Sequence, residues 1–131
     1  MKLYNAKDIL NIAIAGHSGA GKTSIAEAML YLSGATDRFG KVGEGNTVCD
    51  YDPEEIRRKT TVSAAVAPLE WRNHKINLLD APGLFDFEGA MCEAVRAADS
   101  VLIAVSGKDG VNVGSGGFPR VGEDFLCQRP V

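Results

Sequence analysis

Cysteine is scarce in this chain and carries no pattern. Cys49, Cys92 and Cys127 are odd in number and form no C-x-x-C pair, which gives neither a disulfide framework nor a zinc site. Buried or idle thiols in a reducing cytosol are the expectation. Long apolar runs are missing too, and the start Met1-Lys2-Leu3-Tyr4-Asn5 lacks a signal-peptide core, so the chain reads as cytoplasmic with no membrane partner. An excess of positive charge is also absent. Fourteen Lys and Arg stand against 17 Asp and Glu, for a net charge of -3, and no basic patch is visible, so bulk attraction to DNA is excluded. Aromatic residues make up only 7% of the 131 residues, but 45% are hydrophobic and 24% charged, the balance of one folded domain with a real core.

Glycine is plentiful, and its placement is informative. Gly16-His17-Ser18-Gly19-Ala20-Gly21-Lys22-Thr23 lies between an apolar run and a helix-like segment and has the spacing G-x-x-x-x-G-K-T. Glycines at these positions let the backbone curl so that successive N-H groups face one anion, and the following helix adds the positive end of its dipole. Lys22 would reach the β and γ phosphates and Thr23 would offer its hydroxyl to Mg²⁺. An ordinary Gly-rich turn before a helix is the bland alternative, and the register of Gly21, Lys22 and Thr23 speaks against it.

The elements around this loop follow from periodicity. Ile9 to Ala15 is almost continuously apolar, as in a strand covered on both faces of a parallel sheet. From Lys22 the spacing becomes helical, with Ile25, Ala26, Met29, Leu30 and Leu32 on one stripe and Gly34 placed for a left-handed end. Residues 35–46 are polar and glycine-rich, which predicts a mobile loop. Asp52-Pro53-Glu54-Glu55 has the cap, the proline and the acids of a helix start, ending near Lys59, and its mixed charges predict a solvated face. Residues 61–71 predict a strand that Pro68 confines to a sheet edge. Arg72-Asn73-His74 predicts a hairpin turn into a strand that ends at Asp80. A helix over 86–98 and a buried strand over 101–105 complete the pattern. This is an α/β, three-layer nucleotide-binding order with a mostly parallel sheet and one antiparallel edge strand.

A second chemical signal, Asp80-Ala81-Pro82-Gly83, closes an apolar strand. D-x-x-G alone is weak, but behind a phosphate loop it places Asp80 to hold Mg²⁺ through a water and the Gly83 N-H to touch a γ-phosphate. Four stretches now stand in order: G-H-S-G-A-G-K-T, R-R-K-T-T-V-S-A-A, N-L-L-D-A-P-G-L-F-D-F and A-A-D-S-V-L-I-A-V-S-G-K-D-G-V. Together, over roughly residues 7 to 113, they resemble the GTPase domain of bacterial elongation factor G. The serine-glycine phosphate loop and Asp52-Pro53-Glu54-Glu55 resemble more narrowly the elongation factor G-like paralogues. The resemblance implies a P-loop NTPase of the Ras-like G-domain type, GTP or GDP with Mg²⁺ as cofactors, and the ribosome as activating partner in translation elongation.

The resemblance also implies roles for individual residues. Gly16, His17, Ser18, Gly19, Ala20, Gly21, Lys22, Thr23 and Ser24 form the nucleotide site with Asp80 and Gly83. Thr23, Thr61 and Asp80 hold the metal. Thr61 is the first-switch threonine, selected over Thr60 by the register from Arg58; a plain β-branched strand residue is the alternative for either. Thr61, Gly83 and position 84 serve catalysis.

The chain departs from the family pattern in two places. The histidine that follows D-x-P-G is Leu84 here, and leucine has no atom with which to orient an attacking water, so hydrolysis should suffer more than binding. The guanine-reading N-K-x-D motif is missing as well. Asn5-Ala6-Lys7-Asp8 has the wrong spacing and precedes the first strand, and residues 115–131 resemble nothing in the family. The expectation is a partial G domain over 1–113, incomplete after its fourth strand, with an irregular tail over 114–131 from truncation or a shifted frame. An ATP-binding P-loop protein of another class and a non-catalytic ribosome-interacting fragment are the rival readings. Oligomeric state is left unassigned.

Overall fold

The computed structural model describes residues 3–107. The tail over 114–131, with Cys127, and the boundary expected at 113 lie outside the described residues.

The apolar run becomes strand β1 (Ile9–Gly16), and its lack of alternation has a direct cause in its neighbours. Helix α1 (Lys22–Leu32) packs on one face of the sheet and helix α3 (Glu88–Ala97) on the other, with the short helix α2 (Pro53–Arg58) between them in sequence. Successive strand residues point to opposite faces, so Ile14 joins Ala26, Leu30, Leu69 and Leu78 under α1, while Ala13 joins Leu79, Ala81, Ala94 and Val95 under α3. The helical stripe is confirmed at Ala26 and Leu30, but Leu32 falls outside it and is 74% exposed. Gly34 takes the left-handed conformation at φ 74°, and Ala35 N-H reaches back to the Leu30 carbonyl, as a helix end of this type requires.

Four strands form one sheet in the order β2-β3-β1-β4, with β2 (Ala65–Trp71), β3 (His74–Asp80) and β4 (Ser100–Ala104). β1 runs parallel to β3 and β4, and β2 runs antiparallel to β3, which gives a mostly parallel sheet with one antiparallel edge strand. Pro68 lies on that edge strand, where its missing N-H costs no ladder bond. Arg72 and Asn73 both have positive φ between the paired Trp71 and His74, the tight primed turn whose twist suits a hairpin.

The structure corrects several expectations. The strand expected over 61–71 begins only at Ala65, because Val62 and Ser63 spend their N-H groups on the Glu55 side chain instead of on a neighbouring strand. The strand at 101–105 is not buried: Val101, Leu102 and Ile103 are 37 to 42% exposed, since β4 is an edge of the sheet among the described residues. The helix over 86–98 starts at Glu88 after one 3-10 turn. The loop over 35–46 contains a 3-10 turn at Val42–Glu44, and its Gly40 packs so closely on Glu27 that a Cβ would overlap the carboxyl group. Glu54 pairs with Arg57 and Arg58 at the surface, as a solvated face should, but Glu55 is only 3% exposed. Cys49 is buried, and that burial pushes its thiol above the usual range, so it is an idle core residue as the composition suggests.

Candidate nucleotide site

β1 delivers the chain to the edge of α1 through a turn that only glycine makes easily. Gly16 has φ 144°, Gly19 φ 79° and Gly21 φ 89°. Gly16 passes so close to the Ala104 carbonyl that a Cβ there would overlap it, so its smallness serves the fit between β1 and β4. Gly21 caps α1 with no side chain, which leaves the N-H groups of the first helical turn directed at whatever occupies the loop. On the other side, Gly83 closes against the same loop. Its carbonyl accepts the Ser18 N-H at 3.2 Å, and a Cβ on Gly83 would overlap Lys22 Nζ, the Gly16 carbonyl and the Ser18 nitrogen.

Between these walls lies a cavity of about 240 Å³ lined by Ser18, Gly21, Lys22, Thr23, Thr61 and Gly83, with Asp50 and Lys59 also on its wall. Lys22 is 6% exposed and donates to the His17 carbonyl at 3.1 Å. Burial lowers its pKa, while the charges of Asp80 and Asp50 oppose the shift. The Thr23 hydroxyl donates to Asp80 at 2.6 Å, and the Thr61 hydroxyl donates to Asp50 at 2.8 Å. Those two hydroxyl oxygens stand 3.2 Å apart. Either hydroxyl could donate to the other, but each threonine has a single proton, so the pair cannot serve both carboxylates and each other at once. Asp80 is fully buried, and its second oxygen, Oδ1, has no partner.

An arrangement of acceptors with spare lone pairs around one point suits a hard cation. Mg²⁺ is held in just this way, by one or two carboxylates and hydroxyls with phosphate oxygens completing the octahedron. No group of three or more His, Cys, Asp or Glu that could hold a metal occurs among the described residues, so any metal here depends on the threonines and on the ligand. The structure thus brings Lys22, Thr23, Thr61, Asp80 and Gly83 together. Gly19 and Ser24 also line the cavity, Ser24 from the exposed side of α1, whereas Leu84 is 38% exposed outside the lining and neither His17 nor Ala20 lines it. Thr60, the neighbour of Thr61, lines the cavity too, but its hydroxyl donates to the Arg58 carbonyl and not to a carboxylate. Sequence reasoning missed Asp50, which sits between Cys49 and Tyr51 in no motif, and Lys59, which ends α2 at a positive φ of 52° and lines the cavity.

Asp80 gives the site a pH signature. Burial, with Asp50 and Glu27 adding to it, raises its pKa from 3.8 to about 6, against the opposing effects of the Thr23 hydrogen bond and the Lys22 charge. A folded pKa above the unfolded one means that the native state binds more protons between these values, so stability falls as pH rises from about 4 to 6. The ligand-free melting temperature should decline over that window, and Asp80→Asn should flatten the decline. A divalent cation reverses the preference by binding only the ionised form. Mg²⁺-dependent affinity should therefore weaken by up to about tenfold per pH unit below pH 6, as titrations at pH 5, 6 and 7 would measure.

The family model for the elongation factor Tu GTP binding domain matches residues 7–116. A mitochondrial ribosome-releasing factor 2 from Scheffersomyces stipitis is 45% identical over 101 residues, covering 77% of this chain and 12% of that protein. An elongation factor G-like protein of Mycobacterium tuberculosis is 42% identical over 104 residues, 79% of this chain and 15% of that protein. An elongation factor G of Granulibacter bethesdensis is 36% identical over all 131 residues, 19% of its own length. A crystal structure of a protein from Thermus thermophilus superposes with a TM-score of 0.85 at 48% identity, over 88% of this chain and 18% of that one. The chain thus spans between 12 and 19% of the length of these relatives.

Proposed function

The chain belongs to the elongation factor Tu GTP-binding domain family, and we propose that it is the nucleotide-binding part of a translational GTPase of elongation factor G type. In this reading GTP and GDP lie along the loop from Gly16 to Ser24, with Lys22 on the β and γ phosphates. Thr23, Thr61 and Asp80 hold Mg²⁺, which neutralises charge on the phosphates when bound. Gly83 gives the γ-phosphate site its closing wall. Hydrolysis then frees the Thr61 and Gly83 segments from the γ-phosphate, and the ribosome is the partner that senses the change.

The observation that carries this reading is the junction of Thr23, Asp80 and Thr61. Three segments far apart in sequence converge there, with lone pairs left over for one cation. Membrane attachment plays no part in the proposal, and no helix among the described residues is long and apolar enough to cross a bilayer.

Thermal melts with GTP, GDP and ATP, each with Mg²⁺, test the proposal. A nucleotide at a hundred times its dissociation constant adds about 2.7 kcal/mol to stability, a shift easily seen in a domain of this size. GTP and GDP should raise the melting temperature. With the guanine-reading motif missing, equal stabilisation by ATP would mean only that this chain grips phosphates without reading the base, whereas no shift with any nucleotide would remove the site.

A further inference from the structure

Two buried acids outside the phosphate loop stand in the same relation to two of the cavity's side chains. Glu27 is fully buried on α1, one helical turn after Thr23 and on the same face. Its Oε1 accepts the Val48 N-H at 2.6 Å and the Cys49 N-H at 3.4 Å, the two amides immediately before Asp50. Glu55 accepts the Val62 N-H at 3.0 Å and the Ser63 N-H at 3.1 Å, the two amides immediately after Thr61. Its other oxygen takes the Asp52 N-H at 3.3 Å, which closes a capping box on α2. Asp50 and Thr61 are joined by their own hydrogen bond. Each carboxyl group thus grips the backbone beside one member of that pair, and together they bracket it.

A segment of loop can hold a hydroxyl over a cation only if its backbone is fixed, and here neighbouring strands do not fix it. The amides at 48–49 and 62–63 lie outside every strand, so they would otherwise turn to water and carry Asp50 and Thr61 with them. We propose that Glu27 and Glu55 are positioning residues that set Thr61 over Thr23 and so create the Mg²⁺-dependent part of nucleotide affinity. Glu27 has the more direct connection, since α1 carries both it and Thr23. A movement of the 40–50 loop therefore reaches the metal site through one rigid helix. The inference rests on the GTP-Mg²⁺ reading above for its ligand, but the clamps themselves are properties of the ligand-free chain.

The test uses the chain with Glu27→Ala, Glu27→Gln and Glu55→Ala, read in two ways. Without ligand, amide hydrogen exchange should show lost protection at Val48 and Cys49 in Glu27→Ala and at Val62 and Ser63 in Glu55→Ala, each leaving the other pair protected. With a fluorescent GTP analogue, affinity in EDTA should match the parent chain, while the gain on adding Mg²⁺ should shrink by about 10- to 100-fold, the usual effect of removing a group that orients a metal ligand. Glu27→Gln keeps a carbonyl oxygen for the two amides and should recover most of the gain. Equal losses with and without Mg²⁺ would show plain structural damage and overturn the proposal, as would an unchanged Mg²⁺ gain in Glu27→Ala. If the parent chain binds no GTP analogue, the site reading fails, and the Mg²⁺-positioning role fails with it; the exchange arm then decides whether the clamps exist.

Discussion

Leu84→His is expected to raise ribosome-stimulated GTP turnover by about 10²- to 10⁴-fold, the contribution a positioned proton-transfer or water-orienting group makes. That range corresponds to about 3 to 5 kcal/mol of barrier. Position 84 follows Gly83, whose carbonyl already touches the Ser18 N-H of the phosphate loop, so a side chain there begins at the rim of the site. Leucine offers that rim a hydrocarbon. Phosphoryl transfer depends on positioning and charge more than on covalent help, so the missing group should slow the attack of water while leaving the grip on phosphate intact. Leu84 is 38% exposed, and an exposed substitution of this kind shifts stability by only about 0.5 kcal/mol. Single-turnover hydrolysis with ribosomes, in a protein carrying this domain with the family's base-reading strands, measures the effect. Rapid turnover by the Leu84 form, or no gain in the histidine form, defeats the assignment.

What could be read in advance was what neighbours in sequence decide. The apolar run of β1, the glycine spacing of the loop, the cap at Asp52 and the turn at Arg72-Asn73 are each set within a few residues, and all appear where their local chemistry puts them. Pro68 even fixed its strand's place in the sheet, because a missing N-H is a property of the residue itself. Glu27, Asp50 and Glu55 were invisible for the opposite reason. An acid on a helix or in a loop looks the same whether it faces water or backbone amides, and the partners of Glu27 lie 21 and 22 residues away. Thr23 meets Thr61 across 38 residues and Asp80 across 57, so only the motifs as a set pointed to their meeting. The exposure of β4 was unreadable from its composition, because an apolar strand looks identical at the centre and at the edge of a sheet.

Lys22→Ala should weaken binding of a fluorescent GTP analogue by at least about 100-fold, since hydrogen bonds to charged groups contribute about 1.5 to 3 kcal/mol each and Lys22 would reach two phosphates in the proposed complex. Its ammonium is already stripped of most water, held against the His17 carbonyl beneath Gly83, so little reorganisation remains when phosphate arrives. The loss should be the same in EDTA and in Mg²⁺, because Lys22 acts on the phosphates directly; Glu27→Ala should instead weaken only the Mg²⁺ gain. Without ligand the substitution removes a cation whose charge opposes the upward shift of Asp80, so the acid should titrate at a higher pH than before. Lys22→Arg should not restore binding. Gly83 leaves no room for even a Cβ beside Nζ, and a planar guanidinium needs more space than an ammonium. Retained affinity in Lys22→Ala would mean that the loop from Gly16 to Thr23 is a structural turn, and the Mg²⁺ titration of that variant would then lose its ligand as well.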